Sequence, residues 1–140
     1  MPCKTTTEIR VRYGETDQMG YVYYGNYAQF FEIGRVETLR SLGVSYRSME
    51  ENGIMLPVIN FNVKYIKPAR YDDLITIKTI LKKVPAARIE FDYEIFNEVG
   101  QLLTTAHTDL VFVKKQNMRP TGAPENLIQN LNDILNKTDL

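Results

Sequence analysis

The stretch richest in reactive groups runs Tyr13-Gly14-Glu15-Thr16-Asp17-Gln18-Met19-Gly20-Tyr21-Val22-Tyr23-Tyr24-Gly25-Asn26-Tyr27. Two carboxylates, three glycines and five tyrosines stand there, directly ahead of a segment that reads as a helix. A helix N-terminus carries backbone N–H groups without intrahelical acceptors and a partial positive charge, so it stabilises anions. A carbonyl aimed at those amides finds an oxyanion hole. A carboxylate beside it serves as nucleophile, or as general base toward water. Asp17 also has a plain reading, because Asp in a turn bonds its own backbone. Glu15 reads as a solvated or salt-bridged loop residue.

Other reactive side chains are few. The single histidine, His107, rules out a multi-histidine metal site, and on a strand it reads as structural. The single cysteine, Cys3, allows neither an internal disulfide nor a cysteine metal site. No metal and no organic cofactor is expected. Seventeen Lys and Arg balance 17 Asp and Glu, and no basic block occurs, which argues against a nucleic-acid partner. A hydrophobic content of 44% with 24% charged residues excludes a disordered chain. No apolar run reaches the roughly 18 residues of a membrane span. The start, Met1-Pro2-Cys3-Lys4-Thr5, lacks the apolar core of a secretory signal, so a cytoplasmic protein is expected.

Periodicity defines the elements that must position these groups. Thr7, Ile9, Val11 and Tyr13 alternate with Glu8, Arg10 and Arg12, the period-2 mark of a half-buried strand. Ile59 to Tyr65 and Ile89 to Ile95 repeat that alternation, and Ile75 to Lys78 and Leu102 to Val113 complete five strands. Their short, breaker-rich links predict antiparallel neighbours, with the last four strands as a meander. A first helix is predicted from Tyr27 to Leu42, stopping at Gly43. Its apolar residues point nearly all round the axis, which predicts burial on several sides. Gly34 on it would permit close approach of another backbone. A second, amphipathic helix is predicted over 124–135, with Leu127, Ile128, Leu131, Ile134 and Leu135 on its apolar face. One domain over 1–140 is expected at this length. An antiparallel sheet curled around one apolar helix, with open edges, favours a symmetric dimer.

The run Asp17-Gln18-Met19-Gly20-Tyr21-Val22-Tyr23-Tyr24-Gly25-Asn26-Tyr27, followed by the helix to Gly43, resembles the hot-dog-fold acyl-CoA thioesterases of the 4-hydroxybenzoyl-CoA thioesterase group. The signature there is Asp, two residues, Gly, a short apolar or aromatic stretch, an aromatic or His, one residue, then Asn-Tyr. The resemblance covers about 7–114. It implies an α+β hot-dog fold: a five-stranded antiparallel sheet wrapped around a long central helix, with the C-terminal helix added. It also implies hydrolysis of an acyl-CoA thioester to a carboxylic acid and free CoA. Asp17 would be the catalytic carboxylate, and the Tyr24 backbone N–H would polarise the thioester carbonyl. Gly20, Tyr23, Asn26 and Tyr27 are candidate substrate-binding residues, while the tyrosines equally suit core and interface packing and Gly20 suits backbone geometry; the resemblance implies a homodimer or homotetramer whose sites lie between subunits. In a related branch, tied to the bacterial Tol–Pal system, the Tyr24 position usually carries His, and a backbone N–H survives that exchange. The CoA phosphates call for cations, and Arg88, Lys82, Lys83, Lys64, Lys67 and Arg70 are candidates by charge, with Arg88 first. Two alternatives remain open: an acyl-carrier-protein thioesterase, and a non-catalytic acyl-CoA-binding hot-dog protein.

Overall fold

A computed structural model describes residues 2–136; Met1 and residues 137–140, the ends of the expected domain, lie outside the described residues. Strand β1 spans Cys3–Arg10, with Cys3, Thr5, Thr7 and Ile9 turned inward and Lys4, Thr6, Glu8 and Arg10 exposed. It ends earlier than the alternation through Tyr13 suggested. Tyr13-Gly14-Glu15 wind instead into one 3-10 turn, closed by the Arg12 amide donating to Glu15 Oε1 at 2.7 Å. Tyr13 is exposed as a result.

A 3-10 turn over Tyr24–Asn26 runs straight into helix α1, Tyr27–Ser41. The helix stops where Gly43 takes φ +82°, a conformation that favours glycine. The chain continues through α2 (Tyr46–Glu51), capped by Ser45 Oγ accepting the Ser48 amide at 3.0 Å, and β2 (Ile54–Met55). It then forms β3 (Val58–Tyr65), β4 (Leu74–Leu81), β5 (Arg88–Phe96), β6 (Leu102–Val111) and β7 (Val113–Lys114), and closes with α3 (Glu125–Leu135). The sequence reading missed α2 and the small β2–β7 ribbon.

The main sheet is antiparallel with strand order β1-β4-β5-β6-β3. The expected four-strand meander is therefore corrected: only β4, β5 and β6 follow one another, and β3 pairs with β6 at the far edge. The eight residues 66–73 make this possible. Extended, they reach about 26 Å at ~3.3 Å per residue, while three strand spacings of ~4.8 Å need only about 14 Å. A short link thus permitted either neighbour. On its way the link bridges Tyr21 to Arg70, and its Ala69 carbonyl accepts the Val22 amide at 2.8 Å.

Helix α1 lies on the face formed by Ile75, Ile77, Ile89, Phe91, Tyr93 and Ile95. Its buried positions are Tyr27, Phe30, Phe31, Gly34, Arg35, Thr38 and Leu39. That is one stripe at helical spacing, which corrects the expectation of burial on several sides. Ile33 is 41% exposed although apolar, while Arg35 and Thr38 lie inside although polar. Leu127 and Leu131 of α3 enter the same core. Asn130 and Asn126 of α3 donate to the Leu42 and Gly43 carbonyls at 2.8 and 3.1 Å, serving acceptors left open where α1 ends. Among the described residues, no helix is long and apolar enough to cross a membrane.

Candidate active site

The loop ahead of α1 is built by turn chemistry. Asp17, Gln18, Met19 and Gly20 form a tight turn in which the Gly20 amide donates to the Asp17 carbonyl at 3.0 Å. Asp at the first position and glycine at the last suit this turn, and Gly20 takes φ +79°. The Met19 amide donates to Asp17 Oδ1 at 2.9 Å. Asp17 therefore does cap its own turn, and that bond also holds the carboxylate in a fixed direction. The Asp17 amide donates to the Tyr21 carbonyl at 2.8 Å, and Thr16 bridges Val22, so the loop returns on itself.

Half-buried Asp17 lines a cavity of about 280 Å³ together with Tyr24, Tyr27, Tyr65, Lys67 and Pro68. Tyr27 is 3% exposed and meets the Tyr65 ring edge-on at 5.1 Å. The Tyr65 hydroxyl reaches the Tyr24 carbonyl at 3.4 Å. Tyr24 opens the helical run, and neither its amide nor that of Gly25 meets an acceptor among the described residues. These are the free donors expected of a helix N-terminus. Asp17 and Tyr24 thus line one pocket.

The other anticipated residues are placed differently. The Tyr23 ring meets that of Tyr24 at 4.8 Å, tilted by 43°, on the loop surface outside the cavity lining. Its ring occupies the space that a Cβ on Gly25 would need. Gly20 shapes the turn and stays exposed. Asn26 turns away and donates through Nδ2 to the Glu15 carbonyl at 2.9 Å, tying the two 3-10 turns together. Glu15 is buried and salt-bridged to Arg12 at 3.2 Å rather than solvated. Arg88 sits at the opposite end of the sheet from Tyr65, paired with Asp109 at 2.9 Å. Lys82 and Lys83 pair with Asp92 and Glu90. Of the six cations expected near phosphates, Lys67 alone lines this cavity. Sequence reasoning did not single out Tyr65 or Pro68, which arrive only because β3 crosses to the far edge.

His107 belongs to the outer face of the sheet, away from α1. Its Nδ1 lies 2.7 Å from Asp92 Oδ1 and its Nε2 lies 2.9 Å from Asp109 Oδ1. Burial pulls its pKa down, yet the bonds to Asp92 and Asp109 outweigh that and set it above the ordinary value. Glu90, His107 and Asp109 together place three ligand atoms within 4.8 Å. The chain's own charges already serve them, since Arg88 and Lys83 pair with Asp109 and Glu90. A raised histidine pKa stabilises the fold at low pH, and that stability is lost as pH rises from the unfolded value of about 6.5 through the folded one. The thermal midpoint should therefore fall as pH rises above about 6.5. His107→Gln should flatten that slope; an unchanged slope in the variant would assign the effect to another group.

Comparison with known proteins shows the family to which the chain belongs. The profile of the thioesterase superfamily matches residues 19–104. The putative acyl-CoA thioesterase YneP of Bacillus subtilis is 36% identical over 81% of this chain and 82% of its own length. The acyl-CoA thioester hydrolase YbgC of Escherichia coli O157:H7 is 31% identical over 86% and 90%. The crystal structure of a DHNA-CoA thioesterase from Staphylococcus aureus superposes with a TM-score of 0.82 at 43% identity, over 85% of this chain and 80% of that one. Strand order, buried helix, loop and profile converge: the chain belongs to the thioesterase superfamily, as a thioester hydrolase with the hot-dog fold.

Proposed function

We propose that this chain hydrolyses acyl-CoA thioesters to a carboxylic acid and free CoA, with Asp17 and the Tyr24 amide as its reacting machinery. One observation carries the reading: Asp17 and Tyr24, whose amide at the start of the α1 helical run is unbonded among the described residues, line the same cavity. The thioester carbonyl would point at the Tyr24 N–H, where the helix end stabilises the oxyanion. Asp17, aimed by the Met19 amide, would attack the carbonyl carbon or take a proton from water. Tyr27 and Tyr65 would supply an apolar wall against the acyl group, and Lys67 a positive charge at the pocket for the CoA phosphates. The test is release of free thiol from a panel of short, medium, long and aromatic acyl-CoAs, run beside the same acyl groups on carrier protein. Turnover on CoA thioesters is expected. Turnover confined to carrier protein would make the chain an acyl-carrier-protein thioesterase, and turnover on neither would make it a binding protein.

The functional unit in this reading is a dimer formed through β3. Among the described residues only β6 pairs with that strand, and Val58, Ile59, Phe61 and Tyr65 are exposed along it at 40–57%. A long apolar strand edge invites pairing with a second copy. Antiparallel pairing about a two-fold axis would set the Tyr65 end of one strand beside the Val58 end of the other. Light scattering at micromolar concentration should report a dimer or a tetramer. A monomer would overturn the interface.

A further inference from the structure

Met19 holds the third position of the Asp17 to Gly20 turn, where polar residues and glycine are the usual choice. It is apolar and yet 69% exposed, and it lines the Asp17 cavity together with Tyr21, Tyr24 and Ile66. Its amide donates to Asp17 Oδ1 at 2.9 Å. One residue thus steadies the carboxylate with its backbone and contributes a thioether to the same pocket.

Other sulfur atoms are better protected or lie elsewhere. Cys3 is buried, and burial pushes its thiol pKa up, which keeps the reactive thiolate scarce. Met49 is 3% exposed in the core, while Met55 and Met118, at 36% and 54%, stand outside the Asp17 cavity. Met19 is therefore the most exposed methionine among the described residues. Oxidation turns a flexible apolar thioether into a polar, chiral sulfoxide. Here that would set a strong acceptor oxygen into a wall made largely of aromatic rings. Asp17, as a carboxylate, only accepts and cannot satisfy it. The Tyr24 amide, unbonded among the described residues, is a donor on the same cavity, so the new oxygen would compete for it with a thioester carbonyl.

We propose that Met19 is a reversible oxidation site, at which a hydroperoxide converts the thioether to the sulfoxide and turns the Asp17 pocket off. This rests on the thioesterase reading of that pocket. With hydrogen peroxide, a sulfur lone pair attacks one peroxide oxygen, and the S–O bond forms as the O–O bond breaks. The departing hydroxide takes the proton from the transferred oxygen and leaves as water. Sulfur loses two electrons and the peroxide gains them. Methionine sulfoxide reductases reverse the step with a dithiol, which becomes a disulfide as water is released.

Untreated and peroxide-treated protein are compared by peptide mass spectrometry, by thiol release from the best acyl-CoA, and by calorimetry with the non-hydrolysable thioether S-hexyl-CoA. One added oxygen should appear on Met19 well before Met49. In step with it, kcat/KM and affinity should fall by about tenfold, as when a buried polar group goes unpaired. Dithiothreitol alone, which reduces a cysteine sulfenic acid but not a sulfoxide, should restore nothing, whereas the two epimer-specific reductases should restore most of the loss. Met19→Leu, judged against its own untreated sample, should lose less than about twofold, while Met118→Leu should stay as sensitive as wild type. Oxidised Met19 with unchanged affinity and turnover, or a loss that persists in Met19→Leu, would overturn the site. Recovery with dithiothreitol alone would assign the loss to Cys3 and overturn it too. Weaker S-hexyl-CoA binding after oxidation, with no thiol release at any stage, defeats the thioesterase reading and leaves the site standing; no binding before oxidation defeats both.

Discussion

Asp17→Asn should lower kcat by at least about 100-fold, with KM changed far less. The substitution removes the negative charge that attacks carbon or accepts a proton, and an amide does neither well. It should leave the loop intact, because Asn keeps a side-chain oxygen that can accept the Met19 amide, now held at 2.9 Å by Asp17 Oδ1. Asn is also a preferred residue in such turns. Fold and assembly should therefore persist, which circular dichroism and light scattering would verify. Asp17→Glu is expected to be damaged as well. Its extra methylene shifts the carboxylate by about 1 Å, enough to spoil an attack geometry set by the Met19 bond. If Asp17→Asn folds normally and turns over its best thioester within a few-fold of wild type, the residue caps a turn and does nothing more.

The largest expected loss of stability lies at Gly34. A Cβ there would come within 2.5 Å of Thr79 Oγ1 and 3.1 Å of Ile77 Cγ2. Both neighbours belong to fully buried residues on β4, and among the described residues Thr79 Oγ1 has no hydrogen-bond partner that a shift might improve. α1 therefore rests directly on the sheet at this point. The close neighbours are β4 side chains rather than the backbone that the glycine alone suggested. Gly34→Val adds three carbons where the first has no room, and overpacking of this kind costs about 3 kcal/mol or more. At about 3 °C per kcal/mol for a chain of this size, the thermal midpoint should fall by roughly 10 °C. Gly34→Ala should show a smaller loss, since alanine's better helix propensity returns about 1 kcal/mol. Gly14→Ala is the control, because nothing lies within 4 Å of a Cβ there. Equal midpoints for Gly34→Val and Gly14→Ala would show that α1 lifts off β4 at little cost.

Much of the site was legible because its parts are local. The Asp17 to Gly20 turn follows from an Asp that bonds its own backbone and a glycine that accepts positive φ, both settled within four residues. The α1 stop at Gly43 and the alternation along β5 are equally short-range. The apolar stripe of α3, with Leu127 and Leu131 buried, needed only the helical period. From such rules the five main strands, the helices α1 and α3 and the loop bearing Asp17 could be read directly.

Tertiary structure decided where β3 lies, and with it the rest of the pocket. An eight-residue link is long enough for β3 to pair beside β4 or to cross the sheet end, so length alone chose neither. Pairing with β6 moved Tyr65 and Lys67 to the cavity. Arg88 posed the same difficulty, because a strand's first residue carries no record of what stands across from it; Asp109 stands close enough to hold it. Arg35 was not singled out, because a sequence cannot tell a charged face from a charged core position. Its burial comes from the turn of α1 onto Tyr93 and the cover of Tyr46, contacts far apart along the chain. Dihedral preferences and side-chain periods act over a few residues and are written in the sequence. Strand order and the partners of buried charges depend on which distant surfaces meet, and only the folded chain brings those together.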